Sequence, residues 1–152
     1  MLLLAPLAVT GQTIEQAKQF GIDAGDWQEE HSIMVANYEQ LDNIDTDGLA
    51  GIILDESSIL KNFEGETKKK LIDRFMHTPY KLACTATPSP NDHMELGNHS
   101  EFLNVMSRQE MLAMYFVHDG GDTSKWRLKK HAVKDFWSWV GSWATMMLSL
   151  IH

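Results

Sequence analysis

One cysteine, four prolines and only two basic side chains in the first 66 residues are what this sequence has least of. The lone Cys84 cannot build an intrachain disulfide framework. That excludes the small disulfide-rich secreted scaffolds and fits a reducing compartment, so a cytoplasmic location is expected. No Gly-Lys dipeptide occurs in the 152 residues, so they contain no GxxxxGK[ST] phosphate loop. No apolar run reaches the ~20 residues that a membrane-spanning helix needs. The longest candidate, residues 136–151, is interrupted by Ser138, Gly141, Ser142 and Thr145. The opening MLLLAPLAV has no Lys or Arg ahead of its apolar run and is broken by Pro6, so it does not read as a signal peptide.

What is present reads as a globular chain: 43% apolar and 22% charged residues, enough to bury a core in one domain or a large part of one. The formal charge of −8 is unevenly spread. Residues 1–66 carry 13 acidic and 2 basic side chains, net −11, and residues 67–152 carry 8 and 11, net +3. Binding of nucleic acid by bulk charge is thereby excluded for the first half. Local basic spots remain at Lys68, Lys69 and Lys70 and in KWRLKKHAVK, residues 125–134.

Hydrophobic periodicity predicts strands over residues 2–5, 32–36, 50–56 and 80–86. Between them, Ile14, Ala17 and Phe20 mark a helix over 13–20 that Gly21 closes. Leu71, Ile72, Phe75 and Met76 mark another over 64–76. Further helices are expected over 94–103, 109–117 and from 133 onward, with a hairpin or loop at 118–128 around Gly120 and Gly121. Strands alternating with helices imply an α/β fold with a parallel sheet over 1–98 and a mainly helical extension over 99–152. Cys84 is expected in the core. The segment 136–151 is expected to be a helix that lies on a partner surface and, without one, leaves an apolar patch.

The stretch GIILDESSILKN, residues 51–62, runs a buried-type strand straight into Asp55 and Glu56. Carboxylates are rarely buried unless paired or holding a metal, and ligands of parallel sheets collect at the carboxyl ends of strands. A second loaded strand end follows at Thr85-Ala86-Thr87. An Asp there suits Mg²⁺, which prefers oxygen ligands and keeps several waters. A Glu beside it can orient and deprotonate a water that attacks phosphorus. Taken alone, the pair reads more readily as a plain solvated strand end. His93 and His99 lie six apart without a cysteine or carboxylate pattern, which argues against zinc.

In its surroundings, DESSILKN resembles the DEAH-box segment of the Swi/Snf-type branch of superfamily-two helicases and translocases. LLLAPLAVTGQTIEQAKQF resembles that family's motif Ia, IMVANYEQL its motif Ib, and KLACTATPSPND its motif III, all in the family's order. The resemblance implies a RecA-like ATP-binding lobe that works with ATP, Mg²⁺ and DNA, duplex in preference to RNA. It implies Asp55 at the metal and Glu56 as activator of the attacking water, with Ser58, Thr85 and Thr87 coupling nucleotide state to the lobe. It places Pro6, Leu7, Thr10, Thr13, Asn37 and Tyr38 near a nucleic-acid backbone. The sequence departs from the family at Ser57-Ser58, where Ala-His is usual, at Ala86 for Gly, and at Thr13 for Trp. With neither a phosphate loop nor a second lobe among these residues, the expected reading is an internal piece of such a motor, inactive alone. Two other classes compete: a metal-dependent nuclease, for which the further acidic residue and lysine at the needed spacing are not visible, and a non-catalytic module that binds nucleic acid or protein.

Overall fold

A computed structural model describes residues 1–61, 66–89, 92–119 and 122–147. LLLA forms β1 (Leu2–Ala5), and Pro6, which has no N–H to donate, follows its last residue. After a 3-10 turn, α1 (Thr10–Gln19) runs up to Gly21, whose φ of +69° ends the helical path. Then come β2 (Ala24–Asp26), β3 (Ile33–Asn37), a 3-10 turn over Tyr38–Asn43 and β4 (Gly51–Asp55). A second 3-10 turn over Ser57–Lys61, α2 (Glu66–Arg74) and β5 (Tyr80–Cys84) complete the sheet region. All five strands pair in parallel, in the order β2-β3-β1-β4-β5.

The expected α/β parallel sheet is therefore present, with β2 as an additional edge strand. AGD has no apolar alternation to announce it. Its return to β3 needs no crossover helix, because three residues at about 3.3 Å each set a return of about 10 Å. Residues 27–32 cover that distance.

Strand alternation puts Leu2, Leu4, Ile52 and Leu54 on one face, all fully buried with Leu71 and Phe75 of the α2 region. On the opposite face α1 lies across β2 and β3. The expected inner face of that helix is only half realised: Ile14 and Ala17 are half-buried, whereas Phe20 is 80% exposed. Past α1 this face is open along β5, where Tyr80, Leu82 and Cys84 stand exposed. Cys84 is thus not a core residue, because β5 is an edge strand with that side uncovered.

The chain leaves β1 toward β2 by way of α1 and leaves β4 toward β5 by way of α2. These connections diverge between β1 and β4, and a crevice of that kind is where ligands of open α/β sheets bind. The topology aims the end of β4 at it.

The remainder comprises α3 (Leu96–Phe102), α4 (Arg108–Tyr115), the antiparallel pair β6 (Phe116–Asp119) and β7 (Asp122–Leu128), and α5 (Val133–Trp143). Ser107 and Glu110 form a reciprocal capping box that fixes the start of α4. The hairpin expected at 118–128 is β6–β7, while Gly120 and Gly121 lie outside the described residues. Residue 98, the expected boundary, falls inside α3, whose Leu96 packs in the second core cluster and whose Phe102 packs in the first. The helix expected over 136–151 starts at Val133 and ends at Trp143, and residues 148–151 lie outside the described set. Phe136 is fully buried against Tyr115 and Phe116, so this helix already has a partner surface, contrary to expectation. No described helix is long and apolar enough to cross a membrane.

Candidate active site

Ile52 and Leu54 anchor β4 in the core, and the strand's last residue, Asp55, emerges half-buried at the crevice. Its Oδ1 accepts from the backbone N–H of Glu56 at 3.0 Å and tightens the turn that begins there. Glu56 itself has φ +52°, the left-handed region that a non-glycine side chain avoids. Holding such a residue costs about 1–3 kcal/mol, so the surroundings must over-determine it.

Bonds from neighbouring elements do so. From the end of β3, the Tyr38 hydroxyl donates to the Asp55 carbonyl at 2.7 Å. From the end of β5, the Thr85 hydroxyl donates to Glu56 Oε1 at 3.0 Å. The Thr85 oxygen in turn accepts from the Thr87 backbone N–H at 3.1 Å, which turns its proton toward the glutamate. From below, the Ser57 hydroxyl meets His99 Nε2 of α3 at 3.1 Å, with both residues buried. Three residues on in the 3-10 turn, Leu60 offers its carbonyl to Asn98 Nδ2 at 2.8 Å. Burial, and then the charges of Asp55 and Glu56, push the Tyr38 hydroxyl far up, so it stays a donor. Cys84 sits at the same strand ends, and partial desolvation followed by the Asp55 charge pushes its thiol up, away from thiolate chemistry.

With Oε1 engaged by Thr85, Glu56 keeps Oε2 to accept a proton from water. Asp55 likewise has Oδ2 beyond its turn contact. Among the described residues no three His, Cys, Asp or Glu side chains group as a metal cage. This donor set suits Mg²⁺, which takes one or two carboxylates and completes its shell with waters and substrate phosphates. It does not suit a nuclease centre in which protein carboxylates bridge metals.

The residues expected along a nucleic-acid backbone divide. Leu7, Thr10 and Asn37 line one groove of about 330 Å³ with Gly11, Trp27 and Gln40. Asp26 lines it too, which works against a phosphate there. The Thr10 and Thr13 hydroxyls donate to the Leu7 and Val9 carbonyls, and Asn37 Oδ1 accepts from Gln40 N–H to cap its turn. Pro6 is half-buried at the end of β1, and Tyr38 turns to Asp55 instead of the groove. Ser58, expected to couple toward Thr85 and Thr87, directs its hydroxyl back to the Glu56 carbonyl at 3.5 Å. The buried contact belongs to Ser57, which sequence reasoning missed along with His99 and Asn98. The available signal was ELGNHSEF, a helix whose run from Leu96 to Ser100 is polar in the middle yet wholly buried. Asn62, Pro90 and Asn91 of the motif-like segments lie outside the described residues.

No family model and no curated protein matches the chain. Its fold is similar to the SWI2/SNF2 ATPase core of Sulfolobus solfataricus, solved in complex with double-stranded DNA. The superposition has a TM-score of 0.58 at 22% identity and covers 75% of this chain and 27% of that one. The chain thus spans about a quarter of that protein. At this identity the likeness speaks for the fold alone: a parallel α/β sheet consistent with a RecA-like lobe.

Proposed function

We propose that this chain is part of the first ATP-binding lobe of a Swi/Snf-type DNA translocase, with Asp55 and Glu56 as its hydrolytic pair. The carrying observation is the Glu56 turn: a strained left-handed residue just past the end of β4, with its carboxylate held by Thr85 from the end of the neighbouring β5. In this reading Asp55 would hold Mg²⁺, which would supply positive charge to the phosphates of bound ATP. Glu56 orients a water through Oε2 and takes its proton. Thr85, positioned by Thr87, keeps the carboxylate pointed at the crevice, and the DNA backbone follows the groove at Thr10 and Asn37 despite the Asp26 carboxylate in its lining.

The 152 residues contain no Gly-Lys dipeptide and so no phosphate loop of their own. By themselves they should bind ATP weakly and not turn it over, and hydrolysis requires a cradle and a second lobe from other residues. A chimera tests this: the part of this chain that superposes on the Sulfolobus core replaces its matching span there, and DNA-stimulated ATP hydrolysis is measured. We expect hydrolysis in the chimera, a fall of ~10²–10⁴ on Glu56→Gln, the range for losing a positioned general base, and retained ATP binding. A chimera that binds ATP and DNA and hydrolyses at an equal rate with Gln at 56 would refute the assignment.

A further inference from the structure

We propose that the exposed surface at the start of α5, formed by Lys130, Lys134 and Trp137, is a contact for single-stranded nucleic acid. It is distinct from the groove at the ends of β1 and β3, and it does not depend on hydrolysis at Glu56.

The charge pattern comes first. Five of the chain's 13 Lys and Arg fall within residues 125–134, and beyond Asp122 the sequence has a single carboxylate, Asp135. Most of the other cations with described contacts are already used internally. Lys68 pairs with Glu101 at 3.6 Å, Lys70 with Asp42 at 2.8 Å and Arg74 with Asp42 at 3.5 Å, so the Lys68–Lys70 run is largely spent on its own chain. Lys129 Nζ donates to the Ala113 and Met114 carbonyls and closes the end of α4. Lys130 and Lys134 are exposed and make no ion pair among the described residues. They also sit at a helix N-terminus, where the backbone dipole disfavours cations. An arriving phosphate relieves that repulsion.

Trp137 adds what charge alone lacks. It lies one turn beyond Lys134 and is 43% exposed, although its ring is fixed by edge contacts to His93 at 5.1 Å and Phe136 at 5.2 Å. A rigid, accessible indole beside two free ammonium groups matches the way single strands are held: phosphates on cations, an unstacked base on the aromatic. A duplex cannot offer that base. The contact tolerates any sequence, since lysines and an indole face read no base edges.

The test uses the 152-residue chain and a fluorescein-labelled oligothymidylate of about 15 nucleotides, with anisotropy followed from ~50 to ~200 mM salt. Lys130→Glu with Lys134→Glu should weaken binding about tenfold or more and make the log–log salt slope shallower by about 1.4, at ~0.7 per phosphate contact. Trp137→Leu keeps an apolar side chain against Phe136 and should weaken binding about 5-fold or more, the low end for losing one stacked base. The same change should leave a blunt duplex unaffected. Thermal melts by circular dichroism confirm that each variant is folded. The proposal is overturned if wild-type protein does not bind the oligonucleotide at low salt, or if the charge-reversed variant keeps affinity and slope. It is equally overturned if phosphatidylserine vesicles show the same variant dependence and the oligonucleotide does not. If only Thr10→Ala or Asn37→Ala weakens binding, this surface is wrong while the strand-end groove stands.

Discussion

The hydroxyl of Ser57 and the Nε2 of His99 meet at 3.1 Å in the interior, 42 positions apart in the chain. The bond ties the turn after the acidic pair to α3, and α3 carries Leu96 in the second core cluster and Phe102 in the first. Removing one partner strands the other in a buried site, at a cost of about 1–3 kcal/mol. Ser57→Ala and His99→Leu should each lose stability in that range by urea unfolding. The double variant should cost less than the sum by about 0.5 kcal/mol or more, as for residues in direct contact. Simple additivity would show that the contact carries no coupling.

The φ of +52° at Glu56 has a separate signature. Glycine takes that conformation freely and alanine does not, so Glu56→Gly should be more stable than Glu56→Ala by about 1 kcal/mol. At Asp55, the last strand residue, the order should reverse, since glycine in regular structure loses about 0.5–1 kcal/mol against alanine. Urea midpoints of the four variants decide it. Equal stability of the two Glu56 variants would mean that the turn stores no strain.

These two relationships mark where the sequence was legible and where it was not. Apolar runs such as LLLA and GIILD carry their own burial signal, so four strands and the exit of Asp55-Glu56 could be read locally. Three-residue β2 has no such signal, because its place depends on pairing to β3 and on His31 closing over Gly25. Cys84 looked buried because YKLAC is apolar, but burial of an edge strand depends on what covers its face. Motif comparison pointed to Ser58 for its coupling to Thr85 and Thr87 and did not single out Ser57. The left-handed turn at Glu56 instead brings Ser57 inside, and one residue of backbone geometry changes which side chain meets α3.

His31 lies between two carboxylates, with Nδ1 at 2.9 Å from Asp23 and Nε2 at 3.3 Å from Glu29. The Asp23 bond chiefly, then that of Glu29, raises the imidazole above its ordinary 6.5, and the same bond lowers Asp23 from 3.8 to about 2. The histidine's contribution is complete below 6.5 and is lost as pH rises through its raised value. The aspartate's is complete above 3.8 and is lost as pH falls through about 2. Thermal midpoints should therefore plateau between those limits and decline above pH 6.5 in wild type. His31→Asn should remove the alkaline decline. Gly25→Ala should do the same, because its Cβ would overlap His31 Nε2 and push the ring off both carboxylates. An unchanged alkaline slope in both variants would place the titrating group elsewhere.

Phe136 and Trp137 are neighbours on α5 with opposite surroundings: the first is fully buried among Tyr115, Phe116 and Trp139, the second 43% exposed. Phe136→Ala should cost about 3–5 kcal/mol, the usual loss for emptying a buried aromatic site. Trp137→Leu keeps an apolar contact to Phe136 and should cost under about 1 kcal/mol. The same logic fixes where the chain can be shortened. Ending it after residue 143 removes Met146 and Met147, which are 80% and 90% exposed, and should leave stability unchanged. Ending it after residue 132 uncovers Met111, Tyr115 and Phe116 and should produce aggregates on size-exclusion chromatography. A monodisperse, cooperatively unfolding protein that lacks residues 133–152 would show that α5 is an appendage, and the second core cluster would then have to stand without Phe136.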